Sequence, residues 1–346
     1  MRSFNWRGLF ICSLLLFPGM ALNAQTKSPS GYHLTKQIKL GGEGGWDYLT
    51  FDEKARRLYL SRSTHVMVVD ADTGAVVGDL PSTAGVHGIA LVQDLNKGFT
   101  SNGRDSTVTV FDLKTLKVLK QIPVGKNPDA IIYDPLSKRV FTFNGASSDT
   151  TAIDAQAETV AGTIPLGGRP EFAAADEKGH IYVNLEDKSE VLELDSKKLA
   201  VANRWPLAPG EEPSGMAMDR KHRRLFIVCA NKLMVVMNAD NGKLVTSLPI
   251  GSGTDAAGFD PETGLAFSSN GDGTLTIVHE DSPEKFSVVE NVATQKGART
   301  MTLDTKTHRV FLVTAEFGPP PAPTAERPHP RPSIVPGSFV ILVVGK

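Results

Sequence analysis

An aspartate recurs along this chain at intervals of a little over forty residues, and the recurrence limits the folds that the sequence can adopt. Each copy follows a short apolar run and precedes a second one. The copies are Asp52, Asp134, Asp176, Asp219, Asp260 and Asp304. Their separations after the first interval are 42, 43, 41 and 44 residues, and the first interval of 82 residues spans two repeats, with Val92 in place of the missing aspartate. This period predicts about seven copies of one structural unit.

Each repeat contains four short apolar runs separated by glycine, aspartate, asparagine and proline. The runs are rich in β-branched and aromatic residues, as in residues 108–111 and 181–183, which is typical of strands. No repeat has a segment long and periodic enough for a helix, which excludes helical solenoids and parallel α/β folds. A four-stranded antiparallel unit of this length is a propeller blade. The chain is therefore predicted to be an all-β, seven-bladed β-propeller.

The two ends of the chain are predicted to share the last blade. Its first three strands lie near residues 298–304, 308–314 and 338–345. Residues 33–41 have the pattern of the fourth strand of a repeat, but no other strands of that repeat precede them. We expect this N-terminal strand to close the last sheet, because closure covers an edge of unpaired backbone groups.

Residues 99–125 resemble the YVTN repeat of bacterial YncE-like β-propellers. The resemblance rests on the Ser-Asn-Gly sequence at 101–103, the run at 108–112 and the Ile-Pro-Val-Gly sequence at 122–125, with weaker copies at 182–184 and 268–271. It covers nearly all of the chain after the first 24 residues. The resemblance implies a secreted or surface-located seven-bladed propeller, and most such proteins have no assigned reaction.

Residues 1–24 have the pattern of a secretory signal peptide. Arg2 and Arg7 precede an apolar stretch, and the small residue Ala24 marks the expected cleavage position. Pro18 interrupts a stretch that is already short for a transmembrane span. Residues 25–346 are thus predicted to form the propeller, in the periplasm or outside the cell, with no membrane anchor after cleavage.

Charge and cysteine content exclude some classes of partner and of stabilisation. Without the signal peptide the chain loses two arginines and no acid, so the net charge changes from −1 to −3. There is no run of lysine and arginine and no basic stripe with interleaved aromatic residues, which argues against a nucleic-acid partner. Cys12 leaves with the signal peptide. Cys229 then has no internal disulfide partner and is expected to be buried.

One position at the mouth of the central channel is predicted to form the functional site. The first strand of each blade lines the channel, and the position five residues before each repeat landmark lies where that strand enters it. This position is polar or ionisable in every repeat: Asp47, His87, Asp129, Glu171, Ser214, Asp255 and Arg299. The ring is interpreted as a ligand-binding site, with the alternative of a solvated funnel that keeps neighbouring blades in register.

The chemistry of this ring suits a small polar molecule or a cation. Its four carboxylates are expected to raise one another's pKa values, which is common at functional sites. A hard divalent ion such as calcium would also suit oxygen ligands. The sequence has no metal-ligand, nucleophile-elbow, dinucleotide or haem-attachment motif, so it predicts no cofactor apart from this alternative of a divalent cation.

A proline-rich insertion at residues 318–337 separates the second and third strands of the last blade. Its eight prolines predict a stiff, extended segment that does not pair as a strand. It lies on the mouth face and is interpreted either as a lid that presents Arg327, His329 and Arg331 to an anion or partner, or as a surface loop without function.

Three further expectations concern turns. Asn-Gly pairs at 102–103, 144–145 and 270–271 are expected to supply the positive φ angles of tight hairpins. The landmark aspartates are expected to form turns on the face opposite the mouth. Arg62 and His65 are expected in a solvated turn on the mouth side.

Two functions follow from the sequence. The first is a secreted, non-enzymatic propeller that binds a small ligand, a cell-wall component or another protein at the mouth. The second is a metal-assisted hydrolase or isomerase acting on a sugar or lactone, with His87 or Glu171 as base, as the wider propeller superfamily implies. Redox chemistry with a quinone or haem is permitted by the fold, but no ligand motif supports it.

Overall fold

The computed structural model describes Met1, residues 29–324, residue 330 and residues 332–346. The predicted signal peptide lies outside these residues except for Met1. Within them the chain forms seven four-stranded antiparallel sheets arranged as a ring, with two short 3-10 turns. The predicted seven-bladed β-propeller is therefore confirmed. None of the helices in the described part of the chain has the length and apolar character that a membrane crossing requires.

The first six blades run in chain order from the innermost to the outermost strand. Their strands are β2 (Leu49–Asp52), β3 (Arg57–Ser61), β4 (Val66–Asp70) and β5 (Val76–Leu80) in blade one; β6 (Val86–Val92), β7 (Lys97–Asn102), β8 (Thr107–Asp112) and β9 (Val118–Pro123) in blade two; β10 (Pro128–Asp134), β11 (Arg139–Asn144), β12 (Asp149–Asp154) and β13 (Thr159–Pro165) in blade three; β14 (Pro170–Ala175), β15 (His180–Leu185), β16 (Glu190–Asp195) and β17 (Ala200–Pro206) in blade four; β18 (Pro213–Asp219), β19 (Arg224–Cys229), β20 (Leu233–Asn238) and β21 (Leu244–Pro249) in blade five; and β22 (Thr254–Asp260), β23 (Leu265–Asn270), β24 (Thr274–Ser282) and β25 (Lys285–Ala293) in blade six.

Blade seven combines both ends of the chain, as predicted. It contains β26 (Thr300–Asp304), β27 (Arg309–Thr314), β28 (Val340–Gly345) and β1 (His33–Lys39). The outer strand β1 pairs antiparallel with β28. Phe311 and Ile341 of this blade share one buried cluster with Leu58 of blade one, so apolar packing also joins the first and last blades.

The core of the propeller lies between neighbouring blades. The two middle strands of each blade are buried on both faces, whereas the outermost strands are largely exposed, as β17 shows. This explains the continuous apolar runs of the middle strands, because both faces of a blade meet another sheet. Cys229 is completely buried and free, as expected.

The landmark aspartates form turns, as predicted, and they also connect blades. All six are nearly inaccessible, and their carboxylates accept hydrogen bonds from backbone amides, as in Asp134 from Leu136 and Ser137. Three of them also contact a side chain of the following blade at 2.5 to 2.7 Å. These pairs are Asp304 with Arg56, Asp176 with Arg223 and Asp260 with His308.

The three side chains that make these contacts occupy the same place in their repeats. Each lies four residues after its own landmark and has a left-handed backbone, with φ of 53°, 59° and 56°. That conformation turns the side chain back toward the preceding blade. Sequence spacing alone did not reveal this contact between blades.

The role expected for the Asn-Gly pairs is wrong. Asn102, Asn144 and Asn270 are the last residues of their strands, and their buried amides bind nearby hydroxyl groups, as Asn102 does with Thr109 at 2.8 Å. The positive φ angles in these turns belong instead to Ser106, Ser148 and Gly273.

The expectation of a solvated turn is wrong for Arg62. Arg62 is 1% exposed, and its guanidinium donates hydrogen bonds to the carbonyl oxygens of Gly41 at 3.1 Å and Glu43 at 2.8 Å. The guanidinium also lies 3.7 Å from the centre of the Phe339 ring. The preceding loop folds over this side chain, and burial lowers the pKa of Arg62 to about 10.

Candidate ligand site at the channel mouth

The predicted ring residues all lie where the innermost strands enter the channel. Five of them are the second residue of their strand, namely His87, Asp129, Glu171, Ser214 and Asp255. Asp47 precedes β2 by two residues, and Arg299 immediately precedes β26. Proline at the first position of three of these strands fits, because that residue need not donate to the sheet.

A bulge directs these side chains away from their own sheet. The pairing register of the innermost strand shifts between Val86 and Ile89, and the same shift recurs in blades three, four and five. A bulge leaves residues outside the ladder and bends the strand, which turns a side chain toward a new direction. The period of the repeat predicted the position of the ring, whereas the bulges that direct its side chains had no sequence signal.

Asp47, His87 and Asp129 form one contact group across three blades. The imidazole Nδ1 of His87 lies 2.6 Å from Oδ2 of Asp47 and 3.6 Å from Oδ1 of Asp129. Burial opposes the charged imidazole, but the hydrogen bond with Asp47 and the charges of both carboxylates outweigh it, so the pKa of His87 is raised. The two carboxylates therefore favour the charged form of the imidazole that lies between them.

Gly103 provides the space that His87 occupies. A Cβ atom at this position would lie 2.7 Å from Nε2 of His87 and 2.7 Å from Oδ1 of Asn127. The glycine of the first Asn-Gly pair is thus needed for the close approach of the turn to the ring, and not for a positive φ angle.

A second contact group links Asp255, Arg299 and Asp47. Nε of Arg299 lies 3.1 Å from Oδ2 of Asp255, and its Nη2 lies 3.9 Å from Oδ1 of Asp47. Burial raises the pKa of Asp255 to about 7 although Arg299 opposes the shift. The carboxylates raise the pKa of Arg299 in turn, so this guanidinium stays charged.

Glu171 completes the acidic part of the ring and has no cation of its own. Among the described residues, no basic side chain lies within ion-pair distance of its carboxylate. Burial, together with the charges of Asp129 and Asp255, raises the pKa of Glu171 to about 9. The pKa of Asp129 is raised to about 6, mainly by burial, with His87 opposing. The mouth therefore holds more carboxylates than its two cations neutralise.

Two aromatic rings lie next to the carboxylates of the ring. Tyr48 of blade one and Phe172 of blade four have ring centres 5.3 Å apart. Burial and the surrounding carboxylates raise the pKa of Tyr48 well above its usual value. Both rings line a cavity of about 280 Å³ together with Ile89, Phe259 and Met301. The mouth therefore combines a group of carboxylates with two neighbouring aromatic rings.

Ser214 differs from the other ring residues in what it binds. Its hydroxyl donates to the carbonyl oxygen of Thr254 at 3.3 Å, and its own carbonyl accepts from Asn184 at 2.7 Å. These contacts connect neighbouring blades, so the predicted binding role has no support from the hydroxyl geometry at this position.

The ring contains one set of atoms suited to a metal ion. One ligand atom from each of Asp47, His87 and Asp129 lies within 4.8 Å of the others. An imidazole nitrogen and two carboxylate oxygens are donors that divalent transition-metal ions accept. These are the ring residues that would hold the predicted divalent cation.

The described part of the proline-rich insertion lies beside the mouth. Phe317 and Ile334 form a single antiparallel bridge at its base, and no strand lies in its described residues, as expected. The ring of Trp46, next to Asp47 in sequence, lies 6.0 Å from that of Phe317 and 5.4 Å from that of Phe339. The three predicted lid residues, Arg327, His329 and Arg331, lie outside the described residues.

Comparison with known proteins supports the fold. No family model and no curated protein matches the chain. Among solved structures, one chain of the "Crystal Structure of Mitotic Checkpoint Complex" is similar with a TM-score of 0.71 and 13% sequence identity, over 89% of this chain and 96% of that chain. The fold and the comparison together define the class of this protein as a seven-bladed β-propeller.

Proposed function

We propose that this protein is a secreted or periplasmic propeller of the YVTN-repeat kind that binds a small, positively charged ligand at its channel mouth. A free amino group on a cell-wall fragment is the ligand chemistry that suits the pocket. The observation that carries the proposal is the excess of partly buried carboxylates over cations in the ring. Their raised pKa values mean that each negative charge is costly there, and a bound cation would relieve that cost.

Two features favour an organic cation in particular. Glu171 has no described basic partner, so it offers a carboxylate to an incoming ammonium group. The aromatic rings of Tyr48 and Phe172 lie next to the same carboxylates, and cations are attracted to aromatic faces. A lysine of a partner protein has this chemistry as well, and the similar propeller of known structure belongs to a complex.

The proposal is tested by thermal melting and calorimetry of the purified protein with charged and neutral ligand pairs. The probes are 1,5-diaminopentane, glucosamine and an amine-bearing cell-wall peptide, each compared with its N-acetylated form. A ligand that binds only the folded state raises the melting temperature. We expect the charged forms to raise it and the acetylated forms to have no effect.

Substitutions in the ring test whether the ligand binds at the mouth. Glu171→Gln and Asp255→Asn should reduce the ligand response, whereas Asp105→Asn, at an exposed acid in a mouth-side turn, should leave it unchanged. Equal responses in all three variants, or stronger binding of the acetylated ligands, would contradict the proposal.

The second candidate function is a metal-assisted hydrolase or isomerase acting on a sugar or lactone. It is favoured by the group of Asp47, His87 and Asp129, which would hold a cation able to polarise a carbonyl or activate water. The pKa of about 9 for Glu171 counts against it as a base at neutral pH, because the carboxyl then carries a proton. A divalent ion that copurifies with the protein and is lost in Asp129→Ala, together with lactone hydrolysis, would favour this candidate over simple binding.

A further inference from the structure

We propose a metal site on the face opposite the mouth, formed by Asp219, His222 and Glu280 between blades five and six. One ligand atom from each of these side chains lies within 4.8 Å of the others. Nδ1 of His222 is 2.7 Å from Oδ2 of Asp219 and 2.9 Å from Oε1 of Glu280. The donor set is one imidazole nitrogen and two carboxylates, which suits a divalent transition-metal ion such as Zn²⁺.

Glu280 is the observation that points to a ligand. Its side chain is 4% exposed, and its one close polar contact, with Nδ1 of His222 at 2.9 Å, lacks hydrogen-bond geometry, so neither carboxylate oxygen accepts a hydrogen bond from a described residue. The neighbouring Arg224 directs its guanidinium elsewhere, to the carbonyl oxygens of His222 and Pro283 and to the carboxylate of Glu284. A buried carboxylate without such partners is costly, and an ion in the cluster would remove that cost.

Comparison of blades shows that a cation of the chain is missing at this point. In blade one, Arg56 lies between Asp304 of the preceding blade, at 2.5 Å, and Asp72 of its own blade, at 2.7 Å. In blade five, Arg223 bridges Asp176 and Asp240 in the same way, at 2.7 Å each. Both arginines lie four residues after their landmark aspartate and sit between two acids.

Blade six lacks the arginine and adds an acid beside the landmark of the preceding blade, Asp219. The added acid is Glu280, whose backbone amide bonds to the carbonyl oxygen of Gly264 at 2.8 Å, as those of the buried Ala71 and Ala239 bond to Arg56 and Arg223. Gly264, with φ of +66°, occupies the position of Arg56 and Arg223. The guanidinium of blades one and five is thus replaced by a glycine without a side chain, and His222 adds a nitrogen donor.

The surroundings prepare the cluster for an ion. Backbone amides of Lys221 and His222 donate to the two oxygens of Asp219 at 2.9 and 3.1 Å, which fixes the orientation of that carboxylate. The side chain of His222 is 34% exposed, which gives the ion a path from solvent. Two donors around a tetrahedral ion lie roughly 3.4 Å apart, so binding needs only a small opening of the present contacts. Ca²⁺ and Mg²⁺ prefer six or more oxygen ligands and fit less well.

The test uses the full purified protein, stripped of metal with a chelator, in thermal melts and calorimetric titrations with Zn²⁺ and, separately, Mg²⁺. Zn²⁺ should raise the melting temperature and bind in a one-to-one ratio at this site, and Mg²⁺ should not. Glu280→Gln keeps the shape of the side chain and should weaken Zn²⁺ binding by at least about tenfold, as should His222→Gln.

Two control variants separate this site from others. His180→Gln alters a similar aspartate–histidine contact, 2.9 Å from Asp176, where Arg223 already supplies the cation, so it should leave the response to Zn²⁺ unchanged. His87→Gln removes the nitrogen donor of the metal-suited group at the mouth. In that background Zn²⁺ should still bind in a one-to-one ratio, and the addition of Glu280→Gln should weaken that binding. Loss of Zn²⁺ binding in His87→Gln with full binding in Glu280→Gln would overturn the proposal and place the ion at the mouth.

Gly264→Arg offers a variant that does not rely on removing a ligand. A Cβ atom there meets nothing nearer than 3.6 Å, and arginine occurs at the equivalent positions with the same backbone conformation. The new guanidinium should take the place of the ion, so the metal-free variant should melt at a higher temperature than the metal-free wild type and no longer respond to Zn²⁺. The proposal is overturned if Zn²⁺ has no effect on the wild type, or if Glu280→Gln and Gly264→Arg respond as the wild type does.

Discussion

The two ends of the innermost strands carry acids with opposite properties. On the face opposite the mouth, Asp176 and Asp304 are completely buried, yet backbone amides and arginine side chains outweigh the effect of burial and lower their pKa values. At the mouth, Asp129, Glu171 and Asp255 lie near two cations but have raised pKa values, because burial and mutual repulsion prevail. The carboxylates of the first group have hydrogen-bond and ion-pair partners within the fold, and these contacts hold neighbouring blades together. In the second group ionisation is disfavoured, and a bound cation would favour it.

The largest change in the free energy of unfolding is expected where an acid with partners in the fold is removed. Asp176→Ala leaves Arg223 without its buried partner and removes the contact with His180. Breaking a buried pair from one side should lower the free energy of unfolding by about 3 kcal/mol. Urea unfolding measures this change. Asp195→Ala, at a more exposed turn, should cost less than about 1 kcal/mol, and equal losses in the two variants would remove the distinction between the acids.

At the mouth the corresponding substitution should stabilise the protein. Glu171 has a folded-state pKa of about 9, above its unfolded value, so the folded state holds the extra proton and stability falls as the pH rises between about 4.5 and 9. Glu171→Gln removes this cost and should add on the order of 1 to 2 kcal/mol at pH 8, after allowance for solvent screening. At pH 4 the wild type and the variant should unfold alike. A variant that is less stable at pH 8 would contradict the account.

Ligand binding should depend on pH in the direction that these acids set. A cation binds the ionised carboxylates, and the pKa of Asp255 is about 7. Affinity for a permanently charged ligand should therefore rise by up to about tenfold between pH 6 and pH 8, with release of protons on binding. Calorimetry in buffers of different ionisation enthalpy measures that release. Affinity that falls over this range would indicate an anionic ligand.

The smallest changes in stability and ligand affinity are expected at Ser214, the ring residue whose hydroxyl group already donates a hydrogen bond to the backbone. Ser214→Ala should lower the free energy of unfolding by about 1 kcal/mol, because the hydrogen bond to Thr254 is lost. Ligand affinity should stay as in the wild type. A large loss of affinity without loss of stability would return Ser214 to the binding site.

The sequence predicted the features that depend on the repeat itself. The period of the landmark aspartates determined the blade number, the closing strand and the position of the ring, because equivalent residues in a closed ring lie at equivalent places. It did not predict which ring residues pair, since bulges direct those side chains and have no residue signature. The burial of Arg62 and the contact of Arg223 with Asp176 also depend on which loop folds over which blade.

The central claim is that the mouth holds carboxylates whose ionisation is suppressed until a cation binds. Titration of Glu171 by carbon NMR of ¹³C-labelled carboxyl groups, assigned by comparison with Glu171→Gln, tests this directly. The account predicts a midpoint near 9 in the free protein, and a lower midpoint in the presence of a bound amine. A midpoint near the ordinary glutamate value of about 4.3 would contradict the account, because such a carboxylate would already be ionised at neutral pH without a bound cation.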